Sequence, residues 1–168
     1  PLQNVLASHV SLVQAVQMLR AFVAQCPWLA GLLDLREVVL FARFLAVIRY
    51  GVGDVIMREG QTASFVALVL EGELSPVVDG KPLRRIPAAH AVGYAALFQS
   101  GEREADLRGA SNGYVAVISY VEITQLARSD NPGATKLLGV FARLMHAHVM
   151  QADREQRGFH EDGELSSE

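Results

Sequence analysis

The sequence predicts an α+β domain in which an antiparallel, jelly-roll-like β-barrel is flanked by N- and C-terminal helices. Three observations lead there. Both ends of the chain carry apolar residues at helical spacing, whereas the stretch from Leu45 to Tyr120 is built of short β-branched runs separated by glycines. The length of 168 residues, about half of them apolar, suits one well-buried core.

At the N-terminus Val5, His9, Leu12, Val16, Leu19 and Val23 recur at alternating four- and three-residue steps. That spacing lines one face of an amphipathic helix, which must stop before Pro27. Asp34 followed by Glu37 has the spacing of a capping box and opens a short helix to about Arg43. The runs LAVIRY, DVIM, FVALVL and YVAVISY come next, punctuated by Gly51, Gly53, Gly60, Gly72, Asp79-Gly80 and Gly113. Many short strands at close spacing suggest a barrel or sandwich, and Asp79-Gly80 is the signature of a tight hairpin. Asn131-Pro132 then supplies an N-cap and the one helical position that tolerates proline. A long helix is expected to about Arg157, with Leu137, Leu138, Phe141, Leu144, Met145 and Val149 as its packing stripe. The acidic end GFHEDGELSSE reads as a disordered tail. The expected organisation is an N-terminal helix over 1–26, the main domain with its terminal helix over 27–157, and the tail over 158–168.

Composition narrows the function classes. A formal charge of -3 argues against a broad nucleic-acid or anionic-membrane surface, since both need clustered Lys and Arg. The single Cys26 has no partner for an internal disulfide, and no apolar run reaches membrane-spanning length, so an intracellular, cytoplasmic setting is expected. The chain opens on Pro1 rather than Met, which leads us to expect a segment of a longer polypeptide whose other domains share the function.

No enzyme is expected. Gly80-Lys81 lacks the upstream glycine and the following Ser or Thr of a phosphate-binding loop. His146 and His148 stand two apart on the expected helix and therefore face different ways, which is not the i, i+4 pair of a metal site. No serine or cysteine has a base-and-orienter arrangement, and Cys26 reads as a packing thiol. Glu102, Glu104 and Asp106 alternate along one strand face; a solvated edge is preferred there over a cation site.

Three segments together resemble the cyclic nucleotide-binding domain family: YGVGDVIMREGQTASFVALVLEGELSPV, AVGYAALFQSGEREADLRGAS and NGYVAVISYVEITQLARSDNP. The family includes the bacterial catabolite activator protein, the regulatory subunits of cyclic-AMP-dependent kinase and gated ion channels. The resemblance covers roughly residues 27–150 and rests on Gly53, Gly60, Gly72 and Gly93. It implies that Gly93 opens a short helix, through Phe98, whose N–H groups face a cyclic phosphate. It further implies a glutamate next to that glycine for the ribose 2′-hydroxyl, and an arginine further on for the phosphate. Gly93, Ala95, Arg103 and Ala105 fit that pattern; Tyr94 replaces the glutamate, and Glu104 replaces a small hydroxyl residue. Met145, His148 and Gln151 fall where the family's terminal helix acts as a lid over the base. The catabolite activator type continues into a helix-turn-helix domain, which the residues after Arg157 are too few to form.

The two departures weaken the implied site. Losing a charge-assisted bond to the ribose forfeits about 1.5–3 kcal/mol. A carboxylate about 5 Å from the phosphate repels it by about 3 kcal/mol at an effective dielectric of about 20. Glu104, or another acid of the domain, is expected to answer Arg103 as a built-in substitute for the phosphate. Two functions follow: a regulatory or docking module acting through protein contacts, with weak or lost nucleotide binding, or a cyclic AMP- or cyclic GMP-sensing domain that gates a larger protein. Neither needs a metal or cofactor.

Overall fold

The computed structural model describes residues 10–26, 29, 31–93, 102–129, 135–136, 138–139, 141–143 and 146. The first helix, α1, runs Leu12–Gln25. Its start is set by Ser11, whose hydroxyl accepts the Gln14 N–H at 3.2 Å while its own N–H donates to Gln14 Oε1 at 3.1 Å. The expected beginning at Val5 and His9 lies outside the described residues. Its buried face is Ala15, Leu19, Phe22 and Val23, so the true stripe sits to one side of the expected one and Leu12 is 46% exposed. Cys26 caps the end, ahead of Pro27, donating its N–H to Val23 O at 3.2 Å. Helix α2 runs Leu35–Phe44 and has the expected reciprocal cap, with Asp34 Oδ1 accepting Glu37 N–H at 2.9 Å.

Among the described residues nine strands follow: β1 Ala46–Tyr50, β2 Val55–Met57, β3 Phe65–Glu71, β4 Glu73–Val78, β5 Lys81–Pro82, β6 Ile86–Pro87, β7 His90–Val92, β8 Asp106–Gly109 and β9 Gly113–Ser119. They form two antiparallel sheets, one ordered β1-β9-β3-β7 and the other β2-β8-β4-β5 with β6 also on β4. The jelly-roll-like arrangement is thus two packed sheets whose ladders do not close into a single ring. The Asp79-Gly80 hairpin joins β4 to β5 with both residues at positive φ, 51° and 74°, as a two-residue primed turn requires. Helix α3, Tyr120–Arg128, starts directly from β9, and Ser119 and Glu122 cap it reciprocally.

Apolar residues divide between two cores. One lies between the helices and the first sheet and contains Leu19, Phe22, Val38, Phe41, Val66, Leu68, Leu70, Ala116 and Ile118. The other lies between the sheets and contains Ile48, Tyr50, Ile56, Ala67, Val69, Leu74, Leu107, Val115 and Val117. Of the expected terminal helix, Thr135, Lys136, Leu138, Gly139, Phe141–143 and His146 are helical and described. Phe141 meets Phe41 edge-on at 6.1 Å between centroids, and Lys136 forms an ion pair with Glu37. Phe141 and Leu138 therefore pack the helix against α2 and the first core. The acidic tail lies outside the described residues. Among the described residues no helix is long and apolar enough to cross a membrane.

The second core is pinned at one end by Tyr50, which is 2% exposed and donates its hydroxyl to Glu71 O at 2.8 Å. Burial pushes this phenol up to about 12. Its ring lies against Gly109 and Gly113, where a Cβ on Gly113 would overlap Glu71 O and approach the Tyr50 hydroxyl. We therefore expect Gly113→Ala to cost about 3 kcal/mol or more through overpacking. Gly53→Ala, whose Cβ meets nothing within 4 Å, should cost only its positive-φ strain, about 1–2 kcal/mol. Denaturant midpoints compare the two, and equal losses would refute the packing argument.

Cys26 is 1% exposed, its thiol donating to Ala89 O at 3.4 Å, and burial pushes it up to about 11. An unfolded thiol ionises at about 8.5, so the folded state holds its proton more tightly. Its contribution is intact below about pH 8.5 and is lost as pH rises toward about 11. Cys26 should resist a neutral thiol reagent at pH 7.5 until the chain is unfolded, and Cys26→Val should flatten the alkaline decline in stability. Rapid labelling of the native protein would contradict this.

Candidate functional site

Three backbone segments converge on one arginine. After β2 the chain turns through Arg58–Gln61, and Gly60 N–H donates to Arg103 O while Arg103 N–H donates to Gln61 O, both at 2.8 Å. The adjoining Thr62–Glu102 bridge completes this short antiparallel strap. The Arg103 main chain is thereby fixed beside the start of β3, and its side chain reaches between β3 and the end of β7.

There the guanidinium makes two bonds. Nη2 donates to Phe65 O at 2.5 Å, and Nη1 donates to Gly93 O at 3.1 Å. The guanidinium carbon also lies 5.3 Å from the centroid of the Phe65 ring. Gly93 follows β7 with φ of 83°, and a Cβ there would sit 2.6 Å from Arg103 Nη1 and 3.0 Å from Met57 Cε. Only glycine combines that backbone with room for the arginine. Tyr120, the first residue of α3, donates its hydroxyl to the same Gly93 carbonyl at 2.7 Å, and its N–H to Ser64 O at 2.9 Å. Burial raises the Tyr120 phenol, and the neighbouring Arg103 charge partly opposes that rise.

Among the described residues every partner of Arg103 is neutral: two carbonyls, a phenol and an aromatic ring. The expected pairing with Glu104 is not formed. Glu104 is exposed and makes no ion pair with Arg103 or any other described residue. Ala105 is half-buried between them and β8. Asp106 does find partners: it accepts Glu59 N–H at 2.8 Å and Arg108 Nη2 at 2.7 Å, bonds that hold its carboxyl below the usual range, the arginine's being the larger effect. No metal-ligating cluster occurs among the described residues. Tyr94, Ala95 and the expected helix beyond Gly93 lie outside the described residues, as do Met145, His148 and Gln151. His146 is exposed on the terminal helix.

Two participants were not singled out from sequence. Phe65 enters through its main-chain carbonyl, which leaves no trace in residue type. Tyr120 was counted as the end of a β-branched run, although a phenol at a strand-to-helix junction is a signal that could have been followed.

No family model matches the chain, and no curated protein matches it. Solved structures do. A cyclic nucleotide-binding domain from Methylobacillus flagellatus superposes with a TM-score of 0.68 at 18% identity, over 83% of this chain and 81% of that one. The c-di-GMP-responsive global regulator CLP of Xanthomonas campestris gives 0.60 at 24% identity, over 74% and 63%. The regulatory subunit of a cAMP-independent protein kinase A from Trypanosoma brucei gives 0.55 at 22%, over 73% and 48%. The fold is therefore that of cyclic nucleotide-binding domains, and this chain spans less than two thirds of the latter two proteins.

Arg103→Met removes a donor from two half-buried carbonyls, of which Gly93 O keeps the Tyr120 hydroxyl, and a hydrogen bond from a charged donor contributes about 1.5–3 kcal/mol. Glu104→Gln removes an exposed charge with no partner. We expect a clear fall in the denaturation midpoint for the first and none for the second. The reverse order would show that Glu104, and not the main chain, answers the arginine.

Proposed function

We propose that this chain is a non-enzymatic regulatory or docking module, built on the cyclic nucleotide-binding fold, that binds cyclic nucleotides weakly or not at all and acts through protein contacts. One observation carries the reading: both terminal nitrogens of Arg103 donate inward, to the Gly93 and Phe65 carbonyls. Presenting that arginine to a cyclic phosphate means giving up bonds to a charged donor, each contributing about 1.5–3 kcal/mol. Each lost bond amounts to about one to two decades of affinity. Tyr94 in place of a ribose-binding glutamate and the charge of Glu104 lower affinity in the same direction.

A fold used in this way has a counterpart in the Trypanosoma brucei regulatory subunit, which is described as belonging to a cAMP-independent kinase. In this reading the partners are other domains of a longer protein or separate proteins, in an intracellular setting that keeps the lone thiol reduced. The formal charge of -3 supports neither a nucleic-acid nor a membrane partner.

The sensing alternative has one observation of its own. All of Arg103's described partners are neutral, so no carboxylate among the described residues answers its charge, which favours an anionic ligand. Calorimetric titration with cyclic AMP and cyclic GMP separates the two. We expect no isotherm in the low-micromolar range; a clear one for either nucleotide would overturn the docking reading in favour of the sensor.

A further inference from the structure

We propose that Tyr120 is a positioning residue that couples helix α3 to Arg103 through one shared acceptor, the Gly93 carbonyl. The inference deepens the reading above, in which Arg103 is held inward, by naming what holds it and what must move when it leaves.

The Gly93 oxygen has two lone pairs and two donors, Tyr120 Oη at 2.7 Å and Arg103 Nη1 at 3.1 Å. Gly93 stands at φ 83°, and with no side chain its peptide is the least restrained kind the chain can place there. The carbonyl's direction is thus set by its donors. Tyr120 is itself tied down at both ends: its N–H is held by Ser64 O at 2.9 Å, and its ring packs against the helical core. The residue before the arginine's second acceptor therefore also anchors the start of α3, since Ser64 and Phe65 are adjacent and hold Tyr120 and Arg103 respectively. A tyrosine hydroxyl fixed to the frame aims the glycine carbonyl at the guanidinium, and the guanidinium in turn keeps that carbonyl in reach of the tyrosine. Withdrawing either donor loosens the acceptor for the other. Displacement of Arg103 toward an anion and release of α3 from the sheet become one event.

A double-mutant cycle on hydrogen exchange tests this without any ligand, so it can fail while the docking reading stands, and the reverse. The corners are the wild type, Tyr120→Phe, Arg103→Met and the double variant. Phenylalanine keeps the packed ring and removes only the hydroxyl; Arg103→Gln serves if the methionine variant does not fold. The readout is amide exchange over residues 121–128, with β9 as the internal reference. Each single variant should speed exchange in α3 about fivefold, the loss of one hydrogen bond, while β9 is unchanged. The double variant should remain near that same value, because the shared acceptor is already loose. A double variant near or above the product, about 25-fold, would overturn the proposal by showing independent or competing donors. So would no effect of Tyr120→Phe on α3, or an equal rise in β9.

Discussion

The structure depends on one strand pair whose two faces are both buried. Along β3, Val66, Leu68 and Leu70 face the helices while Ala67 and Val69 face the second sheet. Its partner β9 divides in the same way, with Ala116 and Ile118 on the first side and Val115 and Val117 on the second. Such a pair cannot take its register from polarity, because a slip by one residue exchanges one apolar face for another. The register is set instead at the end, where Gly113 lies under the Tyr50 ring and Tyr50 holds the Glu71 carbonyl. Any shift would bring a side chain into the place that only a glycine fits.

That central pair also positions the arginine. The carbonyls of Ser64 and Phe65, at the entry to β3, hold the first residue of α3 and the guanidinium of Arg103. The site is therefore mounted on a strand buried along most of its length, and the remaining described contacts come from short or irregular segments such as the Gly60 strap and the end of β7. A rigid edge with lighter elements fastened to it allows the lighter elements to move while the sheet does not.

Legibility in the sequence followed how local each cause is. The Asp34–Glu37 cap and the Asp79-Gly80 turn act within four residues, and both stand in the structure as read. The long β-branched runs FVALVL and YVAVISY became β3 and β9. The two- to four-residue strands β5 to β8 carry prolines, charges and a histidine, and draw their pairing from neighbours rather than from any period of their own. Helix α1 was displaced because Ser11 and Gln14 cap it at a point that the apolar spacing runs past. At the site, Gly93 and Arg103 were legible as a pair through the family resemblance, but the arginine's partner was not. Glu104 is exposed and unpaired with it among the described residues, and the acceptors that do meet Arg103 there are carbonyls, which every residue type possesses.

The neutrality of those partners separates two properties of the site. The two carbonyls take two of the guanidinium's five N–H donors and leave its charge in place, whereas a carboxylate would also have answered the charge. A ligand that took over the two inward N–H groups would displace bonds of 2.5 and 3.1 Å, the second to a carbonyl that Tyr120 also holds. An arginine so placed ties the entry of β3 to Gly93 and, through the carbonyl it shares with Tyr120, to the start of α3.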